Sequence, residues 1–127
     1  MLISVALATG FMLLLPTLQG AGSAGLSPTE AVLLMNRQKA VVIDVCSDEE
    51  FAAGHVKGAR HVPADRIDSD LSRAVSDKDK PLIMVCTSGV RARVAAVSAQ
   101  KLGYTQVHCL NGGLKAWREA NLPVEKA

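Results

Sequence analysis

Six consecutive residues, Cys86-Thr87-Ser88-Gly89-Val90-Arg91, hold the side chains best suited to chemistry. A cysteine attacks as its thiolate, so the surroundings of the sulfur decide whether it reacts. Cys86 directly follows an apolar run over 82–85 that reads as a buried strand, and a helix is expected from about Val90 to Leu102. It therefore stands at the carboxyl end of a strand, where open α/β sheets bind ligands. A loop this short can turn successive backbone N–H groups toward the sulfur. The helix N-terminus adds roughly half a positive charge, and Arg91 adds a whole one. All three favour thiolate over thiol, so no separate general base is needed. The chemistry in view is nucleophilic, with a covalent intermediate on sulfur.

The other candidates carry less. Cys46 and Cys109 complete an odd set of three cysteines at irregular spacing. No pair has zinc-ligand spacing, and no disulfide framework is expected. An odd count suits a thiol kept reduced for chemistry. Cys109 falls inside a strand and reads as core. Asp44 is expected to take a hydrogen bond at a strand end, Glu50 to cap a helix, and His55 to make a structural hydrogen bond. Asp48-Glu49-Glu50 reads as a negatively charged first helical turn, not a metal site. Trp117 reads as core, and Arg93 as a solvent-side charge that adds to anion attraction. His61 and His108 show no role. No metal or cofactor is expected.

Alternating helices and strands must position these groups. Ser27-Pro28-Thr29-Glu30 and Ser47-Asp48-Glu49-Glu50 are capping boxes, each opening a helix; the second stops near Gly54. The runs 40–45 and 82–85 read as strands buried on both faces, hence parallel. Shorter strands are expected over 60–62 and 107–110. Ile67, Leu71, Ala74 and Val75 form a helical stripe. On the helix after the Cys86 loop, Val94, Ala95, Ala99 and Leu102 are expected to face the core, with Gly103 as C-cap. Asn111-Gly112-Gly113 turns into a last helix bearing Leu114 and Trp117. This order predicts an α/β fold: an open parallel sheet flanked by helices.

The 127 residues amount to one domain. Hydrophobic residues make up 49%, which excludes a disordered chain, and a net charge of +2 offers no field for nucleic acid. Mean hydropathy is +0.21, raised by an N-terminal stretch with no charged side chain before Glu30. Residues 1–19 are expected to be a single-pass membrane anchor, 20–25 a linker and 26–127 the domain. A helix of 18 residues spans roughly 27 Å, just short of a bilayer core of ~30 Å. A cleaved signal peptide is the alternative, although the usual basic n-region is missing. Arg37 and Lys39 after the segment place the domain on the cytoplasmic side; signal cleavage would instead export it.

The Cys86–Arg91 stretch resembles the C-x-x-G-x-R loop of rhodanese-type sulfurtransferases. Upstream, the residues from Asp44 through Cys46, Glu50, Phe51, Gly54, His55 and Gly58 to Ala59 resemble the family's signature D-V-R-x-x-x-E-[FY]-x-x-G-H-I-x-G-A. Downstream, Gly112-Gly113 with Trp117 resembles its closing G-G-x-x-x-W element. The likeness spans roughly residues 26–124, and the chain also resembles the single-domain members that carry an N-terminal membrane anchor.

The resemblance implies a rhodanese-like fold and a Cys86 persulfide. That persulfide would be filled by a small anionic sulfur donor such as thiosulfate and emptied by cyanide, a thiol or a protein acceptor. Thr87, Ser88, Gly89, Val90 and Arg91 would bind the substrate, with Arg91 orienting the loop and attracting the donor. Related phosphatases of this fold enclose five residues between Cys and Arg; the four here suit one sulfur atom better than a phosphoryl group. A Cys-dependent phosphatase or arsenate reductase and a catalytically silent partner-binding module are the rival readings. Cys46 stands where the family usually carries Arg. The strands ending at Cys46 and Cys86 are neighbours in the family's sheet, so Cys46 is either a small filler or a redox partner of Cys86.

Overall fold

The computed structural model describes residues 25–126. The anchor expected over 1–19, and the expected linker except Gly25, lie outside the described residues. Among the described residues, no helix is long and apolar enough to cross a membrane.

Both capping boxes form. The Ser27 hydroxyl accepts from the Glu30 N–H while the Glu30 carboxylate accepts from the Ser27 N–H, opening α1 (Pro28–Gln38). The same exchange between Ser47 and Glu50 opens α2 (Asp48–Ala53). Between them runs β1 (Val41–Asp44). After α2 come β2 (His55–Val56), β3 (Arg60–His61), a 3-10 turn (Ala64–Arg66) and α3 (Ile67–Ala74). Then follow β4 (Leu82–Val85), α4 (Val90–Lys101), β5 (Val107–Cys109), α5 (Gly113–Glu119) and β6 (Val124–Glu125).

Four strands form one sheet in the order β3-β1-β4-β5, every pair parallel. The continuous apolar runs follow from helices covering both faces. Ile43, Leu82 and Met84 join Ile67 and Leu71 of α3 and four alanines of α4 in one core. Val42, Ile83 and Val85 join Ala31 of α1 and Trp117 of α5 in the other. Asp44 stands opposite Val85, so β1 and β4 end level and hand their next residues to one edge of the sheet.

The structure departs from the sequence reading at three places. On α4 the buried face is Ala92, Ala95, Ala96 and Ala99, and Val94 is 65% exposed. Small side chains let α4 lie close against the sheet, which rotates the valines outward. The expected last strand ends at Cys109; Leu110 instead bridges Leu26, whose N–H donates to the Cys109 carbonyl at 2.8 Å. A second, antiparallel pair, β2 with β6, matches Val56 to Val124. Two-residue strands carry no periodicity, so the sequence held no signal for it.

Candidate active site

Cys86 directly follows β4 and is 1% exposed. Its Sγ accepts the Gly89 N–H at 2.9 Å. Gly89 makes that contact with φ at +108°, in the left-handed region, as the residue before α4. A side chain there would be strained even though there is room for one.

The loop carbonyls are held from behind. The N–H groups of Leu114 and Lys115, in the first turn of α5, donate to the carbonyls of Cys86 and Thr87 at 2.8 and 3.4 Å. In a trans peptide the N–H opposes the C=O. Fixing these two carbonyls on α5 therefore aims the Thr87 and Ser88 N–H groups away from α5. Gly113 lies so close that a Cβ on it would collide with both carbonyl oxygens. The Gly112-Gly113 turn thus serves the loop as well as starting α5.

The other side of the loop is held by charge. Arg91 donates from Nη1 to Glu50 Oε1 at 2.7 Å and from Nη2 to Glu50 Oε2 at 3.0 Å. Nη2 also reaches Thr87 Oγ1 at 3.3 Å, and the Thr87 hydroxyl donates to Glu50 Oε2 at 3.3 Å. The Arg91 hydrogen bonds, with the Ser47 N–H, lower the Glu50 pKa to about 2. The same partnership pushes the guanidinium up. Glu50 was expected only as a helix cap; it does that and latches the loop. Its partner Arg91 lies 41 positions away in the chain, so no local pattern could reveal the pair.

Phe51 fixes where α2 presents Glu50. Its ring is stacked between two imidazoles, His55 at 3.7 Å and His61 at 4.4 Å between centroids. His55 Nδ1 donates to the Phe51 carbonyl at 2.7 Å, the structural bond expected of it. His61, which showed no role in sequence, donates from Nε2 to the Cys46 carbonyl at 2.8 Å. Asp44 accepts the Cys46 N–H at 2.9 Å, as expected at a strand end.

Cys46 lies under the loop with Sγ 3.8 Å from Thr87 Oγ1. Burial, then the nearby Asp44 carboxylate, push its thiol up to about 12, so it stays protonated at neutral pH. Thr87, Ser88 and Val90 are exposed at the loop, and Cys109 and Trp117 are buried. Arg93 faces solvent. Burial holds the His108 pKa low. Among the described residues, no group of three or more His, Cys, Asp or Glu side chains could hold a metal ion. The arrangement can present one sulfur, held by the Gly89 N–H, to a small electrophile.

A family model for the rhodanese-like domain matches residues 27–120. Thiosulfate sulfurtransferase GlpE of Pseudomonas putida strain F1 is 35% identical over 100 residues, covering 79% of this chain and 88% of that protein. The crystal structure of a thiosulfate sulfurtransferase from Pseudomonas aeruginosa superposes with a TM-score of 0.73 at 27% identity, over 81% of this chain and 19% of that longer one. A rhodanese with anions from E. coli superposes with a TM-score of 0.62 at 30% identity, over 69% of this chain and 99% of its own.

Proposed function

This chain belongs to the rhodanese-like domain family, and from that premise we propose that it is a sulfurtransferase working through a Cys86 persulfide. The observation that carries the reading is the Gly89 N–H aimed at Cys86 Sγ from 2.9 Å at the carboxyl end of β4. The Cys86 thiolate attacks the outer sulfur of thiosulfate. The Sγ–S bond forms as the S–S bond of the donor breaks, and sulfite leaves with the electron pair. Loop N–H groups stabilise the charge carried by the persulfide. Cyanide or a thiolate then attacks the outer sulfur, and the electron pair of the broken Sγ–S bond returns to Cys86. Cys86 is 1% exposed, so the transferred sulfur enters the ring while the rest of the donor stays outside. Arg91 acts here as a positioning residue, because its guanidinium is spent on Glu50 rather than offered to the donor.

Four residues between Cys86 and Arg91 make a ring sized for one sulfur, which favours this reading over a phosphatase or arsenate reductase. The intact loop argues against a silent partner-binding module. Cys46 reads best as a filler in the space the family gives to Arg, since a protonated thiol is a poor nucleophile for resolving a persulfide. Residues 1–19 remain, as a proposal, a single-pass anchor with the domain on the cytoplasmic side; protease access in sealed vesicles tests it.

Intact mass after incubation with thiosulfate tests the chemistry. The wild type gains about 32 Da, one sulfur atom, and Cys86→Ser gains nothing. Hydrolysis of a phosphate ester with no such adduct would reverse the assignment.

A further inference from the structure

The helix that leaves the Cys86 loop carries an apolar stripe that no other described residue buries. Val90, Val94 and Val97 are 59%, 65% and 45% exposed. Their i, i+4, i+7 spacing puts them on one line along α4. They are three of the five large hydrophobic side chains exposed among the described residues. Stability explains them poorly: a β-branched residue on the exposed face of a helix is a poor helix former, and these three leave about half or more of their surface in solvent. The stripe also has a sign. Along the twelve residues of α4 there are three cations, Arg91, Arg93 and Lys101, and no carboxylate. Arg91 is taken by Glu50, whereas Arg93 and Lys101 are exposed. Lys101 continues the valine line one turn further, and Arg93 lies beside it. Position adds the last constraint. Val90 belongs to the loop around Cys86, so whatever covers the stripe ends at the mouth of the sulfur site.

We propose that this face of α4 docks a protein sulfur acceptor: a cysteine-bearing segment with apolar side chains rimmed by carboxylates, its thiol delivered to Cys86. The proposal rests on the sulfurtransferase reading and names the partner of that site. The acceptor thiolate attacks the outer sulfur of Cys86–S–SH. A new S–S bond forms on the acceptor, the Sγ–S bond breaks, and its electron pair stays on Cys86 as thiolate. No oxidant or reductant is consumed. The valines supply a water-excluding centre and the two exposed cations steer the acidic rim.

The test uses the 127-residue chain, loaded with thiosulfate and freed of excess donor. Sulfur transfer is timed to three acceptors: dithiothreitol, a synthetic amphipathic peptide with one Cys, a Leu stripe and flanking Glu, and the same peptide with Lys for Glu. The Glu peptide reacts about tenfold or more faster than the Lys peptide at low salt, and the advantage shrinks as salt rises. In Val94→Ser/Val97→Ser the Glu peptide falls to within about twofold of the Lys peptide, while dithiothreitol is unaffected. Serine matches valine in helix propensity, so the double variant keeps α4. Equal rates for the two peptides, or an unaltered preference in the double variant, overturn the proposal. If the double variant instead loses retention on anionic phospholipid vesicles with peptide rates unchanged, the stripe is a lipid surface and the proposal falls. Absence of any persulfide on loading would refute the sulfurtransferase reading itself, a different result from a persulfide that shows no peptide preference.

Discussion

Arg91 is bound on both of its terminal nitrogens to one carboxylate, and that pair decides how the loop is held. Glu50 takes the Arg91 fork on its two oxygens while Oε1 also accepts the Ser47 N–H. One side chain thus caps α2 and closes the Cys86 loop. The pair is about two-fifths exposed on each side, so its worth to stability is modest, below about 1 kcal/mol. Its larger consequence is geometric, because it fixes the far end of the Cys86 loop. Glu50→Gln is expected to slow persulfide formation about tenfold while costing little stability. The pH dependence has a definite sign. A carboxylate whose pKa is lowered on folding stabilises fully above its ordinary value of 4.5, and loses that stabilisation as pH falls toward about 2. Urea midpoints of wild type and Glu50→Gln should differ at neutral pH and converge between those values. A gap that persists unchanged to pH 2 would show that the pair contributes nothing.

At the scale of elements, two helix starts grip the loop from opposite sides. α4 begins at its end with Gly89 in a left-handed conformation, and α5 begins behind it with N–H groups on the Cys86 and Thr87 carbonyls. The second grip requires Gly113, whose φ is +61° and whose missing side chain leaves room for those carbonyls. Gly113→Ala must therefore move either the loop or α5, with a cost on the order of 1–3 kcal/mol. Persulfide formation should fall about a hundredfold in a protein whose far-ultraviolet circular dichroism still reports helices and strands. Unchanged labelling kinetics would show that the loop holds itself.

For the whole molecule, the point of entry of the chain matters. Leu26 pairs with Leu110 beyond the end of β5, donating to the Cys109 carbonyl and accepting from the Asn111 N–H at 2.7 Å. The domain therefore begins at the Cys86 end of the sheet, and any tether through its N-terminus holds that end. These two bonds also cover the edge of β5. A chain begun at Gly25 should fold and form the persulfide. A chain begun at Ser27 loses both bonds, worth about 0.5–1.5 kcal/mol each, and should melt several degrees lower. Equal melting temperatures would show that the edge needs no cover.

The amino-acid sequence by itself determined what depends on neighbours in the chain. Both capping boxes, the buried parallel strands and the Cys86 loop ahead of a helix follow from patterns within about a dozen residues, where spacing alone sets geometry. Tertiary structure decided what joins distant positions: Glu50 with Arg91, Phe51 between His55 and His61, Gly113 against the loop carbonyls, and β2 with β6. It also chose the alanine face of α4 over Val94, because the closeness of helix to sheet, not hydrophobicity, sets which side chains fit between them.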